Sequence, residues 1–186
     1  MSRNDFMKII TNFVIVILLV VITVMGQSKK TITHTQSPDQ PVQLVKVKAA
    51  GKFVDLSPMA YLLKRAATMT ESFDGDDDWL KGLVIYGKNR SEKNIIYIDL
   101  GLIFPELKIS GIPLGHGLQF GRYPEKPYVG SNEKVLKPGE EVEIHLTGEQ
   151  HAMLIDWFKR HNFHQVDALN INCSSQGNRI MKPIDN

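Results

Sequence analysis

The stretch N-I-I-Y-I-D-L-G-L-I-F (residues 94–104) places Ile96, Ile98, Leu100, Leu102 and Phe104 on one face at a period of two. Side chains of an extended chain alternate between faces, so this pattern describes a strand with a long apolar side. Pro105 has no N–H for a sheet ladder and is expected to stop it. Just upstream, residues 83–86 read as another strand. The short polar link K-N-R-S-E-K (residues 88–93) suggests that the two form a hairpin.

Downstream, L-K-P-G-E-E-V-E-I-H-L-T (residues 136–147) carries Pro138-Gly139, which suits the centre of a type II turn. Val142, Ile144 and Leu146 then alternate with Glu141, Glu143 and His145, giving one buried and one wet face. Thr147 and Gln150 make a capping box, and Met153, Leu154, Trp157 and Phe158 form the apolar stripe of a helix that Asn162 can end. A last strand over residues 166–173 aligns Leu169, Ile171 and Cys173 on one face. Residues 42–48 (V-Q-L-V-K-V-K) read as a first strand. Residues 57–68 read as a helix, with Ser57 as cap and Pro58 at the first helical position. Residues 111–128 are rich in glycine and proline, with a short strand at 118–123. Many short strands with turn signals, and one or two short helices, describe a mainly β chain: an antiparallel β-sandwich.

Three segments together, D-D-D-W-L-K-G-L (76–83), N-I-I-Y-I-D-L-G-L-I-F-P-E (94–106) and L-K-P-G-E-E-V-E-I-H-L (136–146), resemble uncharacterised exported bacterial proteins. The resemblance covers roughly residues 42–173 and implies an immunoglobulin-like sandwich. It implies no activity and no functional residues. The chain departs from that pattern at residues 57–72, which look inserted, and after Cys173, where a short polar tail replaces a closing strand.

Residues 13–25 (F-V-I-V-I-L-L-V-V-I-T-V-M) follow the positive Arg3 and Lys8 and precede polar sequence. That layout sends the following chain to or across a membrane. Residues 9–25 reach the lower edge of the roughly 17–25 apolar residues that span a bilayer. They read as an N-terminal hydrophobic helix anchoring the domain outside. A signal peptide cleaved near Gly26, with secretion of the rest, is the alternative. Residues 27–41 are polar, with two prolines and Ile32 as their single large apolar residue, and read as a flexible linker. The expected organisation is therefore anchor or signal at 1–26, linker at 27–41, sandwich at 42–173 and polar tail at 174–186.

A net charge of +2 gives no support to nucleic-acid binding. The single Cys173 excludes an intramolecular disulfide and a CxxC redox pair, and its strand position suits a buried, inert thiol. Asp74, Asp76 and Asp78 have the opening spacing of a calcium loop, but Trp79 and Ile85 stand where that loop needs glycine and glutamate. A solvated turn is the simpler use. His151, His161 and His164 lack cysteine or carboxylate partners for zinc. The G-I-P-L-G-H-G-L-Q-F-G run (111–121) does not match a phosphate loop. With Arg122, Tyr123 and Tyr128, His116 instead outlines a recognition surface on a loop. Trp79 and Trp157 are expected in the core. No cofactor is expected. The reading is a non-enzymatic, extracytoplasmic module that binds a protein or an envelope polymer. An exported hydrolase or a structural envelope subunit is the alternative.

Overall fold

The computed structural model describes residues 14–15, 27–56, 65–121 and 135–173. In chain order the strands are β1 (Ser28–Gln36), β2 (Val42–Ala49), β3 (Lys52–Asp55), β4 (Ala67–Gly75), β5 (Val84–Asn89), β6 (Tyr97–Ile109), β7 (Ile112–Gly121), β8 (Glu141–His145) and β9 (Ala168–Cys173). Helix α1 (Gly148–Arg160) joins β8 to β9. The chain is mainly β, in two sheets ordered β4-β1-β9-β6-β7 and β3-β2-β5-β8. Every named pair is antiparallel except β1 with β9, which run parallel.

One apolar core serves both sheets. Leu100, Leu102 and Phe104 of β6, Leu169 and Ile171 of β9, Leu44 and Val47 of β2, Ile85 of β5 and Ile144 of β8 belong to the same buried cluster. Phe104 meets Phe158 edge-on at 5.2 Å, which docks α1 onto β6. The turn before β5 contributes Trp79, fully buried, whose Nε1 donates to the Val166 carbonyl at 2.7 Å. The capping box at Thr147 and Gln150 forms as read. Asn162 takes a left-handed φ of 58° at the other end. There Phe163 N donates to Phe158 O at 2.9 Å and Asn162 N to Lys159 O at 3.1 Å, the Schellman pattern.

Several expectations are corrected. Residues 27–41 are not a loose linker, because Ser28–Gln36 forms β1 between β4 and β9. Its inward row is Lys30, Ile32, His34 and Gln36, all buried. Three of these are polar, which is why the stretch looked unable to reach a core. Each has a partner inside: Lys30 Nζ donates to Asp167 Oδ1 at 2.7 Å, His34 Nδ1 meets Ile171 O at 2.9 Å and His34 Nε2 meets the Gln36 amide at 3.2 Å. Outward, Thr31, Thr33 and Thr35 pair with Ser72, Thr70 and Thr68 of β4 at 3.4, 3.2 and 2.9 Å. Such cross-strand hydroxyl pairs contribute roughly 0.2–1 kcal/mol each.

Strands β5 and β6 form no hairpin. β5 pairs with β2 and β8, while β6 pairs with β7 and β9 in the other sheet. The link between them crosses from sheet to sheet and is held by buried Asn89, whose Nδ2 donates to Lys93 O at 2.8 Å and Leu136 O at 3.0 Å. Pro105 does not end β6. The register shifts between Phe104 and Lys108, and this bulge absorbs the missing donor. The strand read at 118–123 is present over 118–121, its last two residues lying outside the described ones, but it begins at Ile112, so the glycine-rich run is strand β7 rather than a loop. Ser110 and Gly111, with φ of 52° and 83°, form the two-residue turn that leads into it. The helix read over 57–68 falls at 57–64 outside the described residues, and its end at Ala67 and Thr68 is strand β4. Residues 9–25, all but two, and the tail at 174–186 also lie outside. Among the described residues no helix is long and apolar enough to cross a membrane.

Candidate functional site

β7 stands at one end of the five-stranded sheet. Its inward row is Leu114, His116, Leu118 and Phe120, and α1 lies alongside it. A groove of about 220 Å³ opens between them, lined by Leu114, Gly115, His116, Met153, Leu154 and Trp157. The helical stripe splits its duties there. Leu154 and Phe158 are buried, Trp157 is half-buried, and Met153 is 62% exposed at the groove lip. Only the strand character of 112–121, signalled by the Ser110-Gly111 turn, brings the helix and His116 together.

His116 is the polar element of this groove. Its Nε2 is buried and makes no hydrogen bond with a described residue. Burial pushes the imidazole below its ordinary value of 6.5, so the ring is neutral at pH 7. A neutral ring nitrogen in an apolar slot can take one hydrogen bond from an incoming group. It has no hydrogen-bonded acid or nucleophile among the described residues that would make it a general base. Arg122, Tyr123 and Tyr128, read with His116 as one surface, lie outside the described residues.

The acidic set does not converge. Asp74 sits on β4. Asp76 Oδ1 accepts from Asp78 N at 3.0 Å, closing the turn. Asp77 faces Lys30 Nζ at 3.6 Å. Asp78 meets Lys81 Nζ at 3.7 Å and His151 Nε2 at 3.1 Å, the latter an ion-pair contact without hydrogen-bond alignment. These carboxylates serve the turn and its neighbours, and no group of three or more ligand-type residues converges among the described residues. The remaining histidines are dispersed. His161 lies against Trp157 with the rings tilted and 4.3 Å between centroids, His145 meets Glu143 at 3.2 Å and His164 is exposed. Cys173 is buried.

A second shallow site of about 340 Å³ lies over the other sheet, lined by Val45, Lys46, Phe53, Asp55 and Glu141. Its Phe53 is 61% exposed but is already covered by Lys46 Nζ at 5.0 Å, which also lies 4.6 Å from the Tyr86 ring. The groove at His116 is the site with an unmet polar group. The chain matches no protein-family model, no curated protein and no solved structure.

Proposed function

We propose that this protein is a non-enzymatic binding module, an immunoglobulin-like β-sandwich held outside a membrane, that captures another protein at the groove between β7 and α1. The carrying observation is the groove itself: apolar walls, an exposed methionine at the lip and one unsatisfied neutral imidazole nitrogen. At about 220 Å³ it is smaller than the roughly 300–1,000 Å³ usual for small-molecule sites. It has room for a side chain or two of a partner. Methionine and aromatic side chains are the types that protein interfaces favour. β7 ends its sheet, so an extended partner segment can lie along it. Two sheets around one core support the sandwich reading. The apolar residues 9–25 support an anchor, or a leader cleaved near Gly26, and with it an outer location.

The test is site-specific photocrosslinking in intact cells with a photoreactive residue replacing Met153. A discrete protein adduct that disappears with Trp157→Ala, while Lys137-placed crosslinker yields none, is the expected result. An adduct pattern indifferent to position or to Trp157→Ala overturns the groove as the binding site. The N-terminal sequence of the mature protein decides anchor against leader.

A further inference from the structure

Lys30 and Asp167 meet at the seam where β1 lies against β9. The two strands run parallel, with Thr31 level with Ala168, so the residues just before them are neighbours. Lys30 is fully buried, and its Nζ donates to Asp167 Oδ1 at 2.7 Å. Neither partner has room to swing. A Cβ built on Gly75 would come within 3.0 Å of Lys30 Cγ and 3.2 Å of Trp79 Cβ, so the lysine stem lies tight against the Gly75 backbone. The Asp167 backbone is pinned on both sides. Thr31 N donates to its carbonyl at 2.7 Å, and its own N donates to Glu106 Oε2 at 3.0 Å.

The donors around the carboxylate are one-sided. Lys30 Nζ, Gln165 Nε2 at 2.9 Å and Ser28 Oγ at 3.4 Å all hold Oδ1. Such donors stabilise charge that develops on one oxygen of an acyl group while the other departs. The carboxyl carbon lies one C–O bond beyond Oδ1, at the edge of the roughly 3–3.5 Å separation of a pair held ready to react. Asp77 Oδ1 stands 3.6 Å from the same Nζ on an exposed side chain, placed to carry a proton.

We infer that Lys30 and Asp167 condense to an amide bond that staples β1 to β9. The freshly folded chain holds the ion pair, and the amide forms from it on standing. One ammonium proton passes through Asp77 to Asp167 Oδ2, leaving a neutral amine and a neutral carboxyl. The nitrogen attacks the carboxyl carbon, and negative charge gathers on Oδ1 under the Gln165 and Ser28 donors. A second nitrogen proton follows to Oδ2, the C–Oδ2 bond breaks and water leaves. One C–N bond forms, one C–O bond breaks, and Oδ1 remains as the amide carbonyl, so no oxidant or co-reactant is needed. Condensation of separate amines and acids is unfavourable in water. Groups fixed side by side have an effective concentration on the order of 10⁵–10⁸ M, which offsets that. The partly exposed Asp167 gives the released water an exit. The two residues lie 137 apart, so the bond ties the sandwich together nearly end to end. With Cys173 as its one cysteine, the chain has no intramolecular disulfide to do the same.

The experiment is peptide-mapping mass spectrometry of the full chain, sampled over days after purification. A species joining the Lys30 and Asp167 peptides, lighter than their sum by one water, is expected to accumulate. Fragmentation locates the link, because succinimide formation at Asp74-Gly75 loses the same mass. Lys30→Arg keeps the positive charge and yields no linked species, and Asp77→Asn slows its growth at least ~10-fold. The wild-type chain kept in urea, with its strands apart, yields none. Full recovery of the separate Lys30 and Asp167 peptides from the aged wild-type chain overturns the inference. So does a link that forms equally well in urea or that joins other residues. Growth unchanged in folded Asp77→Asn overturns the proton path. Where a variant fails to fold, the wild-type time course with and without urea decides.

Discussion

Substitution of Lys30 by alanine removes an ammonium group that is fully buried, 2.7 Å from Asp167 Oδ1 and 3.6 Å from Asp77 Oδ1. Breaking a buried pair from one side costs roughly 3–5 kcal/mol when the surviving charge is left uncompensated. Here the survivor is partly compensated. Asp167 keeps 37% of its side chain exposed and retains Gln165 Nε2 at 2.9 Å and Ser28 Oγ at 3.4 Å. Water and these donors take up part of the charge, which moves the cost toward the roughly 0.2–1 kcal/mol of an exposed pair. The lost packing of the buried lysine stem adds to it. About 2 kcal/mol is the expected net destabilisation. For a chain of this size that corresponds to a melting shift of about 4–8 °C. The assay is thermal unfolding of the full chain at pH 7 by circular dichroism, with the adjacent exposed Lys29→Ala as control. Surface changes away from special features stay within about 0.5 kcal/mol. Equal melting temperatures for Lys30→Ala and Lys29→Ala would refute the placement of residues 28–36 inside the sheet.

Other perturbations follow from the same geometry. Burial works to raise the Asp167 carboxyl, but hydrogen bonds from Lys30, Gln165 and Ser28 and the Lys30 charge outweigh it, and it titrates below its ordinary 3.8. Its stabilising contribution is therefore complete above that value and fades as pH falls through the lowered folded value. Wild type should lose stability more steeply than Asp167→Asn on acidification below 3.8, and parallel acid limbs in melting experiments would contradict this. Trp79→Phe removes buried volume and leaves the Val166 carbonyl without its donor, for a loss of about 2–4 kcal/mol in urea unfolding. Gly121→Ala forces a Cβ onto the Ile96 carbonyl and should abolish folding or cost more than ~2 kcal/mol, whereas Gly115→Ala should be neutral or stabilising. Thr147→Ala removes the helix cap and should cost about 1 kcal/mol, read as a lower urea midpoint with unchanged slope.

How much of this was legible in the chain varies by element. Residues 98–104, 142–146 and 147–162 declare themselves, because their signals are local: alternation, a capping box, an asparagine stop. β1 was hidden because its inward row is Lys30, Ile32, His34 and Gln36, and hydropathy cannot show that Asp167 and the Ile171 carbonyl await them from β9. The alternation of Thr31, Thr33 and Thr35 was the available sign of a strand, and it was outweighed by polarity. The first half of β7, residues 112–117, was hidden by its glycines, although Ser110-Gly111 marked the turn. The false hairpin between β5 and β6 followed from a short polar link, which fits a turn and a sheet-to-sheet crossing equally well. His116 stands out in the sequence as part of a recognition surface, and the structure places it at the groove, while Arg122, Tyr123 and Tyr128 lie outside the described residues. Its groove neighbours Met153, Leu154 and Trp157 show in the sequence only as an apolar helical stripe, which does not tell where the partner surface ends.

By itself, the sequence determined what depends on neighbours along the chain: strand and helix periodicity, caps, a mainly β composition and an apolar run at residues 9–25. Tertiary structure decided what depends on distant partners. It placed β1 parallel to β9, more than a hundred residues later, and gave Lys30 its carboxylate. It sent β5 and β6 to different sheets, and laid α1 against β7 to open the groove at His116. It also aligned Gly101 with Gly117 and Asn172 on one face. The physical reason is that burial of a polar group, register across a sheet and the closeness of a glycine to its neighbours are set by groups far away in sequence, which no local pattern encodes.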